Sequence, residues 1–152
     1  MPGLYPNLPD EDHIARLVPW ARVAKDSDDN PIGILGAAFQ LRENEEGLSV
    51  NWLERVSDDP SQQAIETIRL ISCQRKVGSK ARLAILNVGS THQIALARNR
   101  KIRIIHAPID GNEPHSEIRQ FPDDDSQLLD MLATDGLVQN IHCGPLLAQL
   151  SS

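Results

Sequence analysis

Aromatic residues are nearly missing from this 152-residue chain: Trp20, Trp52, Phe39, Phe121 and Tyr5 are the whole set. The core must therefore be built from Ile, Leu, Val and Ala. A nucleic-acid reader that stacks bases on aromatic rings is also disfavoured. Cysteine is as scarce. Cys73 and Cys143 stand far apart and neither belongs to a CxxC pair, so no disulfide framework organises the fold. Cys73 falls inside a helical pattern and is expected as a small core residue. No apolar stretch approaches the roughly 20 residues that cross a bilayer. The N-terminal MPGLYPNLPDED has no basic region leading into an apolar run, unlike a signal peptide. The expectation is a reduced, cytoplasmic protein.

Sequence motifs of the common enzyme classes are missing too, each on a nameable residue. The glycines of Ile32–Leu41 do not form GxGxxG. Gly78-Ser79-Lys80 lacks the upstream glycine of a phosphate-binding P-loop. Neither Ser90 nor Ser116 sits in G-x-S-x-G, and Cys143 lacks a catalytic-cysteine context. Asp26, Asp28 and Asn30 imitate the start of a calcium loop. However, Pro31 stands where that loop needs glycine, and Ala37 where it needs a bidentate Glu. His106, His115, His142 and Cys143 are the right ligand types for zinc, but their spacing matches no finger or HExxH pattern. The chain calls for no cofactor.

Positive charge is in deficit, with a formal net charge of −6. Such a surface repels phosphate backbones unless a local patch overrides the total. Nucleic-acid contact would have to rest on Arg98, Arg100, Lys101 and Arg103, with Arg75, Lys76, Lys80 and Arg82 near in sequence. Read plainly, these are solvated charges on turns and strand faces.

What remains is an ordinary globular composition, 40% apolar and 24% charged, long enough for one self-sufficient core. Residues 1–9 carry three prolines and are expected as an extended leader. Residues 10–150 are expected as a single α+β domain, a mostly antiparallel sheet with two main helices packed on one face. One strand covers His13–Val18 and continues beyond Pro19 through Trp20–Ala24, with a turn at Asp26–Pro31. Another is expected over Ala37–Leu41. Leu48–Glu54 follows, where Asn51 and Glu54 have capping-box spacing and Ser49 could end a strand. The clearest helix runs from Pro60 to about Arg75, with Asp59 as N-cap and Pro60 at the first helical position. Arg82–Val88 has the continuous apolar character of a central strand. Thr91–Ala97 and Lys101–Ile105 are expected as a hairpin about Arg98-Asn99-Arg100. A short strand at Ser116–Gln120, a helix over Asp124–Thr134, an edge strand at Leu137–Ile141 and a loose apolar tail complete the chain.

One stretch gathers chemically capable side chains. In Ile102–Ile118, IRIIHAPIDGNEPHSEI, a loop is bracketed by His106 and His115, with Ser116 and Glu117 directly behind. Two imidazoles and an orienting carboxylate could act as a general acid and base on an RNA 2′-hydroxyl, with Arg16 or Arg103 steadying phosphate charge. The plainer alternative is a structural turn whose imidazoles bond backbone. In residue type and order, Arg16, Ser49 and Glu117 also resemble the Arg–Ser–Glu arrangement of some ADP-ribosyltransferases. In those enzymes the Arg holds a phosphate, the Ser shapes the nicotinamide pocket and the Glu activates the acceptor. As a whole, the AF-x-LR…LSVNWLE and IH-x-P…PHSEI segments resemble those of small uncharacterised bacterial proteins. That resemblance implies a bacterial domain and no particular activity. The lack of a catalytic motif favours a non-catalytic accessory protein that binds a protein partner. The alternative is a small RNA- or nucleotide-processing enzyme, toxin-like or NAD-handling, with His106, His115, Glu117 and Arg16 as its catalytic groups.

Overall fold

Six strands pair into one antiparallel sheet in the computed structural model, which describes residues 6–43 and 45–151. In chain order the elements are β1 (His13–Val18), a 3-10 turn (Trp20–Arg22), β2 (Val23–Lys25) and β3 (Pro31–Ile34). A second 3-10 turn (Gly36–Phe39), β4 (Leu48–Trp52), α1 (Leu53–Val56), α2 (Pro60–Ser72) and β5 (Arg82–Asn87) follow. The remainder is α3 (Val88–Ala97), β6 (Arg103–His106), β7 (His115–Arg119), α4 (Ser126–Thr134), β8 (Leu137–His142) and α5 (Cys143–Leu150). The sheet order is β6-β7-β4-β1-β5-β8, and β2 and β3 form a separate hairpin.

The α+β class and the antiparallel sheet are as the sequence predicts, but the helices divide between both faces. Side chains of successive strand residues alternate in direction. In β1, Ile14 and Val18 join the cluster with Leu128, Leu129 and Leu132 of α4 and Val88 and Ala95 of α3. Ala15 and Leu17, pointing the opposite way, pack with Ile68 and Ile71 of α2 and with Cys143 and Leu147 of α5. The two long-predicted helices, α2 and α4, thus lie on opposite faces, and each seals its own aliphatic core.

Local chemistry explains where the sequence expectations hold and where they give way. Asp59 caps α2 by accepting from the Ser61 N–H at 3.0 Å, with Pro60 at the first position. The helix closes at Ser72, short of Gly78, so Cys73 is exposed at its end instead of buried in the core. The expected strand at Thr91–Ala97 is α3. Its cap is Asn87, whose side-chain oxygen accepts from the Ser90 N–H at 2.8 Å. The Asn87 amide donates back to the carbonyls of Asp10 and Asp12. Val88, Thr91 and Ala95 then fall on one buried stripe at helical spacing. Asn99, at φ 59°, ends the helix in the left-handed conformation that Asn tolerates.

Ala37–Leu41, expected as a strand, begins instead inside the second 3-10 turn, where Gly36 presses against α4. The tail is helix α5 and not loose chain. Asn51 lies in β4 and caps nothing, while Glu54 of α1 accepts from the His13 N–H and sits 2.8 Å from His13 Nδ1. The calcium-like Asp26 spends its carboxylate on the backbone N–H groups of Asp28 and Asn30 within the β2–β3 turn. Of the expected leader, Met1–Tyr5 lie outside the described residues. Asn7 bridges to Ile105, and Leu8 is buried against the β6 edge.

The middle of the sheet has a seam. β1 pairs with β5 along six residue pairs, but with β4 only at Ile14–Trp52 and Ala15–Asn51. Beyond Ala15 the guanidinium of Arg16 takes the place of the ladder. It donates to the carbonyls of Ser49 (2.9 Å), Ala38 (3.0 Å) and Gln40 (3.0 Å), and its Nη1 lies 3.2 Å from Glu45 Oε2. This one buried side chain ties the connection after the second 3-10 turn to both central strands.

Candidate functional site

The opened end of the seam forms the floor of a recess of about 150 Å³ on the α2/α5 face. Ala15 and Leu17 of β1 and Ser49 and Asn51 of β4 make that floor. Ile71, Gln74 and Arg75, at the end of α2, form one wall. Ile109, Asn112 and His115, from the β6–β7 loop and the start of β7, form the other, and Arg42 closes the remaining side.

The loop wall is held rigidly. Asn112 and Asn51 exchange reciprocal amide hydrogen bonds at 2.9 and 3.1 Å, both side chains being buried. Gln74 donates to the Asp110 carbonyl at 2.6 Å, tying the loop to the end of α2. Gly111 supplies the positive φ of 78° that lets Ile109 and Asn112 bond each other's backbone. Such a wall does not have to be ordered by a ligand.

Two guanidinium groups, Arg42 and Arg75, line the recess. Burial lowers the Arg75 guanidinium below its ordinary value, and the neighbouring Arg42 charge lowers it further. Arg16, beneath the floor, is brought down to about 10, first by burial, with Glu45 opposing and Arg42 and Arg75 adding to the shift. Glu45 is the carboxylate that faces this group. Burial alone would raise its carboxyl, but the Arg42 N–H and the Arg16 guanidinium outweigh that and hold it below its ordinary value. Arg42 Nη1 is only loosely paired with it at 3.7 Å. Among the described residues Arg75 forms no ion pair.

The four residues expected to share catalytic work do not converge. His106 is directly opposite Ser116 in the β6–β7 ladder and shares the α3/α4 face, where its ring meets Trp52 at 5.3 Å. His115, one position before Ser116 on β7, points to the α2/α5 face and lines the recess. Each ring hydrogen-bonds a carbonyl of the loop: His106 Nε2 donates to Glu113 O at 2.8 Å, and His115 Nδ1 to Ala107 O at 2.7 Å. Glu117 is paired with Arg119 at 2.6 Å. Arg16 is buried with every nitrogen engaged. The Arg–Ser–Glu trio does occupy three adjacent strands, with Ser49 directly opposite Glu117, but the Arg16 side chain leaves the sheet on the other face.

The basic patch is partly neutralised. Arg98 grips Asp125 with two bonds of 2.8 and 2.9 Å, and Arg100 lies 3.7 Å from the same carboxylate. Those bonds from Arg98 hold the Asp125 carboxyl below its ordinary value. Lys101 and Arg103 stay exposed. Cys143 is buried, which pushes its thiol up to about 11, and His142 Nε2 bonds the Ser79 carbonyl. No three His, Cys, Asp or Glu side chains form a ligand set among the described residues. No helix among them is long and apolar enough to cross a membrane.

Sequence reasoning reached His115 but missed Arg42 and Arg75, the charged rim of the recess. Arg75 stands in sequence beside the solvated lysines after α2, and Arg42 follows a segment expected to be strand. The signal that joins them is tertiary.

Fold and recess together define an α+β domain, a six-stranded antiparallel sheet covered on both faces by helices, with a preformed cationic recess at the seam. No family model matches the chain, and neither does any curated protein or solved structure.

Proposed function

We propose that this chain is a non-catalytic binding protein whose partner inserts a group into the recess between Arg42, Arg75 and His115. The observation that supports this reading is the division of labour around the β6–β7 loop. Both imidazoles bond loop carbonyls, and they face opposite sides of the sheet, so no acid–base pair is aimed at a common point. What the recess offers is a rigid wall, the Arg75 guanidinium, the loosely paired Arg42 and the second nitrogen of His115. Those are recognition groups. A protein partner, the kind the sequence favours, could present such a group on one of its side chains.

The test is an NMR titration of the amide groups with inorganic phosphate, ADP and NAD. It runs beside assays for cleavage of an RNA dinucleotide and of NAD. The binding reading expects shifts confined to Ser49–Asn51, Gln74–Arg75 and Ile109–His115, with no turnover. Turnover that His106→Ala or His115→Ala abolishes would overturn it and favour the enzyme alternative.

A further inference from the structure

Arg16, Arg42 and Arg75 bring three positive charges to one end of the seam, and Glu45 supplies one negative charge against them. The local surplus of two charges stands out on a chain whose net charge is −6. Like charges held this close raise one another's energy unless an anion is supplied. Arg16 cannot meet a ligand, because its nitrogens are committed to backbone and Glu45. Arg42 and Arg75 line the open recess, and Arg75 has no ion-pair partner among the described residues.

We propose that the recess is a binding site for a phosphate monoester, gripped by Arg42 and Arg75, with His115 Nε2 able to donate to a remaining oxygen when the ring is protonated. This rests on the binding reading above and specifies its ligand. Charge selects the group: a phosphate monoester carries about −1.5 to −2 at neutral pH, matching a surplus of two, whereas a single carboxylate carries half of that. Donor geometry agrees, since guanidinium forks suit tetrahedral oxyanions. With its Nδ1 hydrogen spent on Ala107, His115 leaves Nε2 for a ligand, as an acceptor in the neutral ring and as a donor to phosphate once the ring is protonated. Size restricts the rest of the molecule. A recess of about 150 Å³ is smaller than the roughly 300–1,000 Å³ of pockets that enclose whole ligands, and suits the phosphate end of one. The carrier therefore extends into solvent. It is either a free phosphorylated metabolite or a phosphorylated side chain of a protein partner.

Isothermal titration and NMR with three probes separate these cases: glycerol 3-phosphate, a phosphoserine hexapeptide, and acetate as the monovalent control. Both phosphate probes are expected to shift the amides of the recess, and acetate to bind at least about tenfold more weakly. Tighter binding of glycerol 3-phosphate assigns a metabolite, and tighter binding of the peptide a protein-borne phosphate. Arg75→Ala, at an exposed position beyond the end of α2, should weaken either phosphate probe about tenfold or more. Arg75→Lys should recover part of that loss. Phosphate affinity unchanged in Arg75→Ala overturns the site. Acetate binding as tightly as phosphate overturns the ligand class while the binding reading stands. Turnover in the dinucleotide or NAD assays overturns the binding reading itself, whichever anion the recess prefers.

Discussion

Replacing Arg16 with Met tests whether the seam is held by this one side chain. The charge itself is not the stabilising quantity, since burial pulls the guanidinium down to about 10 and only Glu45 opposes it. The loss on replacement lies in the acceptors left behind: the carbonyls of Ala38, Gln40 and Ser49, and a Glu45 side chain only 11% exposed. A stranded acceptor that is cut off from water, as at the buried Ala38, costs about 1–3 kcal/mol, the exposed Gln40 less, and such losses are not additive. Breaking one side of a buried ion pair costs about 3–5 kcal/mol, and we expect Arg16→Met to fall in that range. At roughly 2–4 °C per kcal/mol for a chain of this size, Tm should drop by about 6–20 °C. Urea unfolding followed by circular dichroism measures it directly. Arg16→Lys should not restore stability, because a single ammonium cannot reach acceptors spread around a planar fork. Glu45→Gln, which leaves the carbonyl bonds intact, should lose less than Arg16→Met. Buried ion pairs elsewhere have been replaced by apolar residues at no cost. Should Arg16→Met stay within about 1 kcal/mol of the parent, the seam argument is wrong.

The other expectations concern single contacts. Gly36→Ala would put a methyl 2.2 Å from Asp130 Oδ1 and 3.0 Å from the Asp130 nitrogen. It should cost about 1–3 kcal/mol in urea unfolding, while Gly33→Ala, with nothing within 4 Å, should cost less than about 1 kcal/mol. Asn87→Ala removes the α3 cap and should cost about 1–2 kcal/mol, with faster hydrogen exchange at Ser90 and Thr91; unchanged exchange there would refute the capping role. Acidification should destabilise the fold through Glu45. Its folded carboxyl lies below the ordinary 4.5, so its contribution is complete above that pH and fades as pH falls through the folded value. Unfolding free energies at pH 6 and pH 3 should therefore differ less in Glu45→Gln than in the parent. The carboxyls of Asp125 and Glu113 are also lowered and keep part of the slope in both.

Elements specified by neighbouring residues were legible in the sequence. Asp59-Pro60 announces α2, the apolar run Arg82–Val88 announces β5, and Ile102 and Ile104 share a face as alternation predicts. Thr91–Ala97 reads as strand because the deciding residue, Asn87, looks like the end of the strand before it. Its capping role depends on docking to Asp10 and Asp12, far away in the chain. The tail reads as unstructured because nothing local indicates that Leu146 and Leu147 have an apolar surface beside α2 to cover. The site follows the same logic. The turn between His106 and His115 was visible as composition, but which face each ring takes is set by strand register, where one residue reverses the side. Arg42 and Arg75 become neighbours only once β4 and α2 have packed.

The seam also gives the sheet a mechanical character. Strands β6, β7 and β4 form one three-stranded leaf and β1, β5 and β8 another, and two residue pairs stitch them together. Load applied across the strands should part the leaves there before any other pairing yields, because every other neighbouring pair in the sheet shares at least four residue pairs. An optical trap with handles on β7 and β8 would record that separation as the first extension step. A first step corresponding to the peeling of β8 alone would contradict it. In that picture Arg16 is a rivet: it lets the leaves stand apart enough to leave a hollow, and it keeps them from coming further apart.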